Sequence, residues 1–90
     1  MAKPIYFASR FSKTWQNLTR KQREWIIEII LALPELQEQP HRHSGYGFRK
    51  LHGNAFYEVR LDLRWRLILR IDSKEVILFD VMNHDQVKRL

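Results

Sequence analysis

The sequence contains no cysteine and no long run of apolar residues. Without a thiol, neither a disulfide framework nor a thiolate metal site can form. The longest apolar run, residues 25–33, is interrupted by Glu28 and is too short to span a bilayer. The segment 1–7 lacks the apolar stretch of a secretory signal. We therefore expect a cytoplasmic protein that forms one domain over residues 1–90, without repeats or linkers.

Acidic residues are scarce relative to basic ones. Sixteen lysines and arginines stand against ten acids in the 90 residues, for a net charge of +6. Between residues 41 and 70 there are seven cations and only two acids, so most of the excess lies in this segment. A clustered positive charge of this kind suits a polyanion, either a nucleic acid or an acidic protein segment.

The stretch YEVRLDLRWRLILRI, residues 57–71, alternates with a period of two. Every odd position is apolar. The even positions are Glu58, Arg60, Asp62, Arg64, Arg66, Ile68 and Arg70. Since successive side chains of a strand point to opposite faces, the pattern predicts a half-buried sheet with arginines on its second face.

The stretch has to turn, because fifteen extended residues would span roughly 50 Å, about twice the width of so small a domain. The turn is predicted near Asp62. A loop with an odd number of residues keeps odd and even positions on their faces, whereas an even loop exchanges them. The unbroken alternation predicts an odd loop, with Arg60, Arg66 and Glu58 on one face and Trp65 in the core. An even loop would instead expose Trp65, where it could stack on a base.

Helices are predicted ahead of these strands. Thr19 and Gln22 have the spacing of a capping box. The helix that follows presents one apolar stripe, formed by Trp25, Ile26, Ile29, Ile30 and Leu33. Pro34 is expected to end this helix, because a proline inside a helix loses a hydrogen bond and clashes with the preceding turn.

The second half of the chain is predicted to contain a loop at 37–47 and a last strand at 75–82, in which the odd positions Ile77, Phe79 and Val81 are all apolar. The predicted fold class is α+β: two N-terminal helices packed on one face of a small antiparallel sheet, the other face open and basic.

Several short motifs of the second half resemble the RelE/ParE superfamily of toxins from bacterial and archaeal toxin–antitoxin systems. The motifs are Leu51-His52-Gly53, Tyr57-Glu58-Val59-Arg60, Trp65-Arg66-Leu67 and the tail His84-Asp85. The resemblance implies a RelE-like mRNA interferase, which is a metal-independent endoribonuclease that needs no cofactor. It also implies action on mRNA at the ribosome, inhibition of translation, and a cognate antitoxin protein as partner.

The resemblance implies catalytic roles for His84, Arg66 and Arg60, and Glu58 joins the predicted catalytic set as a carboxylate on the same face, although the family often has lysine or histidine as the base. Histidine suits proton transfer near neutral pH, and a guanidinium offers phosphate oxygens a rigid fork of donors. Glu58 is either the general base or a structural carboxylate among arginines. His84 has Asp80 and Asp85 as candidate partners.

The remaining basic residues of the segment are predicted to bind RNA, and they are Arg49, Lys50, His52, Arg64 and Arg70. His52 and Lys50 are also rival candidates for the general base. No metal is expected, since His41 and His43 have no further ligands in their loop. Two alternative functions remain: a ParE-like poison of DNA gyrase, and a non-catalytic module that binds RNA or protein on the same fold.

Overall fold

A computed structural model of the protein describes residues 3–38, 48–51 and 55–90, with only the backbone described at 36–38. The predicted loop at 37–47 lies outside the described residues from position 39 onward. His41, His43 and His52 also lie outside them. The elements in chain order are β1 (Ile5–Phe7), α1 (Ser9–Trp15), α2 (Arg20–Glu38), β2 (Arg49–Lys50), β3 (Phe56–Arg60), β4 (Trp65–Ile71), β5 (Val76–Asn83) and α3 (His84–Lys88).

The strands form one five-stranded sheet in the order β1-β5-β4-β3-β2. The pairs β2–β3, β3–β4 and β4–β5 are antiparallel. The pair β1–β5 is parallel, with Ile5 opposite Val76. The predicted α+β class with an open sheet is confirmed. The sheet is mixed and not wholly antiparallel as predicted, because β1 pairs in parallel with β5, the last strand in the chain.

The turn between β3 and β4 confirms the predicted odd loop. Arg60 faces Arg66 and Val59 faces Leu67 across the two strands, so odd and even positions keep their faces. Asp62 holds this turn, since its Oδ1 accepts hydrogen bonds from the backbone N–H groups of Arg64 (2.9 Å) and Trp65 (2.8 Å). Burial alone would raise the pKa of Asp62, but these two donors, a hydrogen bond from the Gln22 side chain and the charge of Arg66 together bring the pKa below its ordinary value.

The core lies between α2 and the odd-numbered face of β3 and β4. The apolar stripe predicted for α2 is confirmed, with its central residues fully buried against Val59 and Leu67. The capping box is confirmed as well: the backbone N–H of Gln22 donates to Thr19 Oγ1 (3.1 Å), and that of Thr19 donates to Gln22 Oε1 (3.0 Å). Trp65 is half-buried at the edge of this core, as the odd loop requires.

The prediction that Pro34 ends the second helix is wrong, because α2 continues through it to Glu38. A proline deprives only one carbonyl, four residues earlier, of its helical donor. The N–H groups after Pro34 still reach the preceding turn, and Leu33 anchors this end of the helix in the core. Among the described residues no helix is long and apolar enough to cross a membrane.

The alternation expected in the last strand is interrupted by a β-bulge. Ile68 faces Asp80, but Leu69 faces Leu78, so Phe79 is an extra residue in β5. The bulge exchanges the two faces within the strand. Val76, Leu78 and Val81 therefore join the core, and the apolar residues at the odd positions 77, 79 and 81 do not share one face.

Candidate functional site

The sheet face opposite α2 carries the even-numbered residues of β3 and β4. We call it the basic face and define it by Arg49, Phe56, Glu58, Arg60, Arg66, Ile68, Arg70, Phe79, Asp80 and Met82. Its centre is buried, because Glu58, Ile68, Asp80 and Met82 are hardly accessible to solvent. Arg49, Arg60 and Arg70 are exposed. The face therefore has a buried centre of acids and apolar groups surrounded by accessible guanidinium groups.

Two buried carboxylates lie on either side of Ile68. Glu58 and Asp80 are both cross-strand neighbours of this residue, one on β3 and one on β5. Each carboxylate binds the Nε of an arginine further out: Glu58 pairs with Arg49 of β2, and Asp80 pairs with Arg10 of α1. Since a buried charge is tolerated only when it is paired and hydrogen-bonded, these acids fix the positions of the two arginines.

The Asp80 carboxylate has several partners at once. Its Oδ2 lies 3.0 Å from Arg10 Nε, while its Oδ1 accepts from Thr14 Oγ1 at 2.7 Å and from the backbone N–H of Val81 at 2.8 Å. The guanidinium of Arg10 also lies over the ring of Phe79, 4.3 Å from its centre. Sequence analysis missed Arg10, since the pairing joins residues 70 positions apart and periodicity within one strand carries no information about it.

Arg60 and Arg66 are direct neighbours across β3 and β4. Arg66 is half-buried, and its Nη1 donates to the backbone carbonyl oxygens of Asp62 (2.9 Å) and Trp65 (3.2 Å). No acid among the described residues forms an ion pair with either arginine. Like charges directly opposite one another destabilise a sheet, so this pair is suited to an anion bound between the two side chains.

His84 is the first residue of α3 and is exposed. The helix starts there because Asn83 and Gln86 form a capping box, with both hydrogen bonds at 2.9 Å. A shallow cleft of about 220 Å³ is lined by Leu63, Arg64, Asn83, His84 and Asp85. Because Asn83 pairs with Trp65, the imidazole lies at the same end of the sheet as Arg66.

The structure thus gathers some of the predicted site residues and separates others. Arg60 and Arg66 are adjacent, and His84 shares its cleft with Arg64. Glu58 is 5% exposed and bound to Arg49, so its carboxylate faces an arginine and not solvent. Lys50 is exposed on the edge strand β2, and Arg70 is exposed on β4 beside Phe56. Of the two candidate partners of His84, Asp80 is bound to Arg10 and Thr14, and Asp85 is exposed.

Potential metal ligands are scattered within the described ranges 3–38, 48–51 and 55–90. No group of three or more histidine, aspartate or glutamate side chains there is arranged to hold a metal ion.

Several solved structures have a fold similar to that of this chain. No curated protein matches the chain in sequence. The fold resembles that of a chain from the intact E. coli RelBE toxin–antitoxin complex, with 28% identity, a TM-score of 0.65, and coverage of 91% of this chain and 96% of that one. A chain of the RelB–RelE antitoxin–toxin complex from Methanococcus jannaschii gives 19% identity, a TM-score of 0.68, and coverage of 93% and 95%. YafQ from E. coli strain BL21(DE3) gives 11% identity, a TM-score of 0.67, and coverage of 96% and 98%.

The sequence profile of the ParE-like toxin domain family matches residues 31–87, which is more than half of the chain. This segment contains β2 to β5 and most of α3, and with them every residue that defines the basic face. The chain therefore belongs to the ParE-like toxin domain family and is a RelE/ParE superfamily toxin of a toxin–antitoxin system.

Proposed function

We propose that the protein is a metal-independent endoribonuclease that cuts mRNA on the ribosome and so inhibits translation. The observation that carries this proposal is the pair Arg60 and Arg66, adjacent on an open sheet face without a described acidic partner. The exposed His84 lies at the same end of the sheet, in a cleft with Arg64. A phosphate clamp beside a group that transfers protons is what RNA cleavage requires.

In the proposed reaction the 2′-hydroxyl of one nucleotide attacks the adjacent phosphorus, and the bond from phosphorus to the 5′ oxygen breaks. A base takes the proton of the 2′-hydroxyl, and His84 gives a proton to the departing 5′ oxygen. Arg60 and Arg66 bind the phosphate oxygens, where negative charge accumulates in the transition state. The products are a 2′,3′-cyclic phosphate and a 5′-hydroxyl end.

Three residues were predicted as candidates for the base that takes the proton of the 2′-hydroxyl: Glu58, Lys50 and His52. Glu58 is buried and paired with Arg49, which supports a role in holding that arginine in place. Lys50 is paired with Tyr57 and is therefore on the opposite sheet face from Arg49 and Glu58, since successive side chains of a strand point to opposite faces; this argues against Lys50 as the base. His52 remains the other candidate. Arg49, Arg64 and Arg70 would bind phosphates on either side of the cleaved bond.

We infer that a cognate antitoxin is the protein partner. The similar chains from E. coli and M. jannaschii were crystallised in RelBE and RelB–RelE complexes. The net charge of +6 favours a partner segment with acidic residues. By covering the basic face, such a segment would compete directly with RNA.

The test is to map new RNA 5′ ends by primer extension after brief induction of the wild type and of His84→Ala at matched expression. The matched control is Lys88→Ala, which changes another exposed residue of α3. We expect new ends in translated messages with the wild type and with Lys88→Ala. Loss of one acid/base group should reduce their yield about 10²–10⁴-fold in His84→Ala.

Two other outcomes would contradict parts of this proposal. Growth arrest without new RNA ends would contradict the ribonuclease proposal and point to DNA gyrase or another bound target. Ends that persist in His84→Ala at the wild-type level would contradict the role of this residue and shift the proton transfers to His52 or Glu58.

A further inference from the structure

We propose that Arg10 is a phosphate-binding position of the basic face, held ready by Asp80, and that it extends the RNA site from the sheet onto α1. The ligand is the backbone of single-stranded RNA, so the identity of the ligand rests on the proposed function. The position of the site does not, because it follows from contacts within the protein.

The two buried carboxylates are arranged symmetrically on the basic face. Glu58 and Asp80 face Ile68 from opposite sides, and each binds an arginine through Nε. Neighbouring strands are about 4.8 Å apart, so the two acids are held about 10 Å apart across the face. Arg49 and Arg10 occupy the outer ends of this row. RNA that lies across the strands would meet a guanidinium at each end.

The contacts of Arg10 hold its guanidinium on one edge and one face. Asp80 takes its Nε, and Phe79 lies against the flat face of its guanidinium. Among the residues that the structure describes, both Nη groups are left without a hydrogen-bond acceptor, and the side chain is 53% exposed. A guanidinium fixed in this way presents two parallel donors, the geometry that binds phosphate oxygens in a bidentate manner.

A purely structural role would explain these contacts less well. Thr14, from the same helix, already joins α1 to the Asp80 carboxylate, and the backbone N–H of Val81 supplies a further donor. These two donors would leave the Asp80 carboxylate hydrogen-bonded even without the half-exposed Arg10. A buried acid generally stabilises a fold less than an apolar residue of similar size would. The arrangement costs stability and fixes a cation at the surface, which is the compromise expected at a binding site.

The experiment measures the binding of a fluorescently labelled single-stranded 2′-O-methyl RNA, which cannot be cleaved, by anisotropy at several salt concentrations. The variant is Arg10→Gln, and the matched control is Arg20→Gln. Arg20 also places its Nε 3.0 Å from a carboxylate, that of Glu24, but it lies on α2 away from the basic face. We expect Arg10→Gln to bind about tenfold more weakly. Its slope of log affinity against log salt should fall by about 0.7, the value for one lost phosphate contact on a single strand.

A second variant, Arg10→Lys, tests the inference even if Arg10→Gln does not fold, because it retains the charge beside Asp80. It should keep the salt slope of the wild type and lose part of the affinity, about threefold, because lysine lacks the planar fork. Urea denaturation of each variant shows that the folded protein is being compared.

Wild-type affinity and salt slope in folded Arg10→Gln would overturn this inference and leave the proposed function intact. The absence of salt-dependent RNA binding by the wild type would overturn both. RNA binding that depends on Arg10 in a protein that generates no new RNA ends in cells would uphold the inference and contradict only the nuclease proposal.

Discussion

The two faces of the sheet bury their residues in different ways. Among the described residues, the face against α2 buries only apolar side chains, such as Val59, Leu67 and Leu78, which are all fully enclosed. The basic face buries Ile68 and Met82 together with two carboxylates, each paired with an arginine. The first arrangement stabilises the fold through the removal of apolar area from water. The second has to compensate for the desolvation of charged groups.

The difference separates the part of the sheet that holds the fold from the part that is available for chemistry. Paired buried acids add little net stability, yet they determine where guanidinium groups lie and how they are oriented. Substitutions on the core face should therefore reduce stability, whereas substitutions on the basic face should reduce RNA binding more than stability.

The largest effect on stability is expected from Leu67→Ala. Leu67 is fully buried between α2 and the sheet, and such a truncation costs about 2–5 kcal/mol through lost burial and the cavity that remains. The matched control is Leu63→Ala in the neighbouring turn, where the side chain is 97% exposed and the cost should stay within about 0.5 kcal/mol. Urea denaturation measures both values. Equal effects in the two variants would contradict the assignment of the core face.

A smaller effect is expected when the pair Arg49 and Glu58 is broken. Arg49→Met leaves a carboxylate that is 5% exposed without its partner, which should lower the free energy of unfolding by about 1–3 kcal/mol. The double variant Arg49→Met, Glu58→Leu removes the buried charge and should recover that loss or exceed it. Both variants should bind RNA more weakly than the wild type. A double variant that is no more stable than Arg49→Met would contradict the account of the basic face.

The smallest effect concerns the turn that joins β3 and β4. Asp62→Ala removes the acceptor of two backbone N–H groups, at a cost of about 1 kcal/mol at neutral pH. The pKa of Asp62 is lower in the folded protein than its usual 3.8. Its contribution is therefore complete above pH 3.8 and is lost as the pH falls through the lower, folded value. The difference between the urea midpoints of the wild type and Asp62→Ala should become smaller below pH 3.8. A difference that stays constant with pH would contradict the role of the ionised carboxylate.

Much of this division into two faces was predictable from the sequence. The unbroken alternation of residues 57–71 predicted the odd loop and placed Arg60 and Arg66 on one face, because a period of two leaves few other solutions. The apolar stripe and the capping box of α2 were predictable in the same way. Each of these signals is local, and the residues that carry it lie within one or two elements.

The sequence did not reveal features that depend on distant partners or on a single local irregularity. In the last strand only Asp80 interrupts the apolar residues 76–82, so alternation could not locate the bulge at Phe79. The proline in α2 is tolerated because Leu33 is buried beside it. The pairing of Arg10 with Asp80 depends on how α1 packs beside β5, which is decided only in the folded chain.

The most direct test of the account is the cleavage rate of Arg66→Ala, compared with Arg20→Ala as a control for the loss of one positive charge. Arg66 lies on the basic face and makes hydrogen bonds only to backbone carbonyls among the described residues. The account predicts that RNA cleavage falls about 10²–10³-fold, while the free energy of unfolding changes by about 1 kcal/mol or less. Cleavage at the wild-type rate by a folded Arg66→Ala variant would contradict the claim that the basic face holds the scissile phosphate.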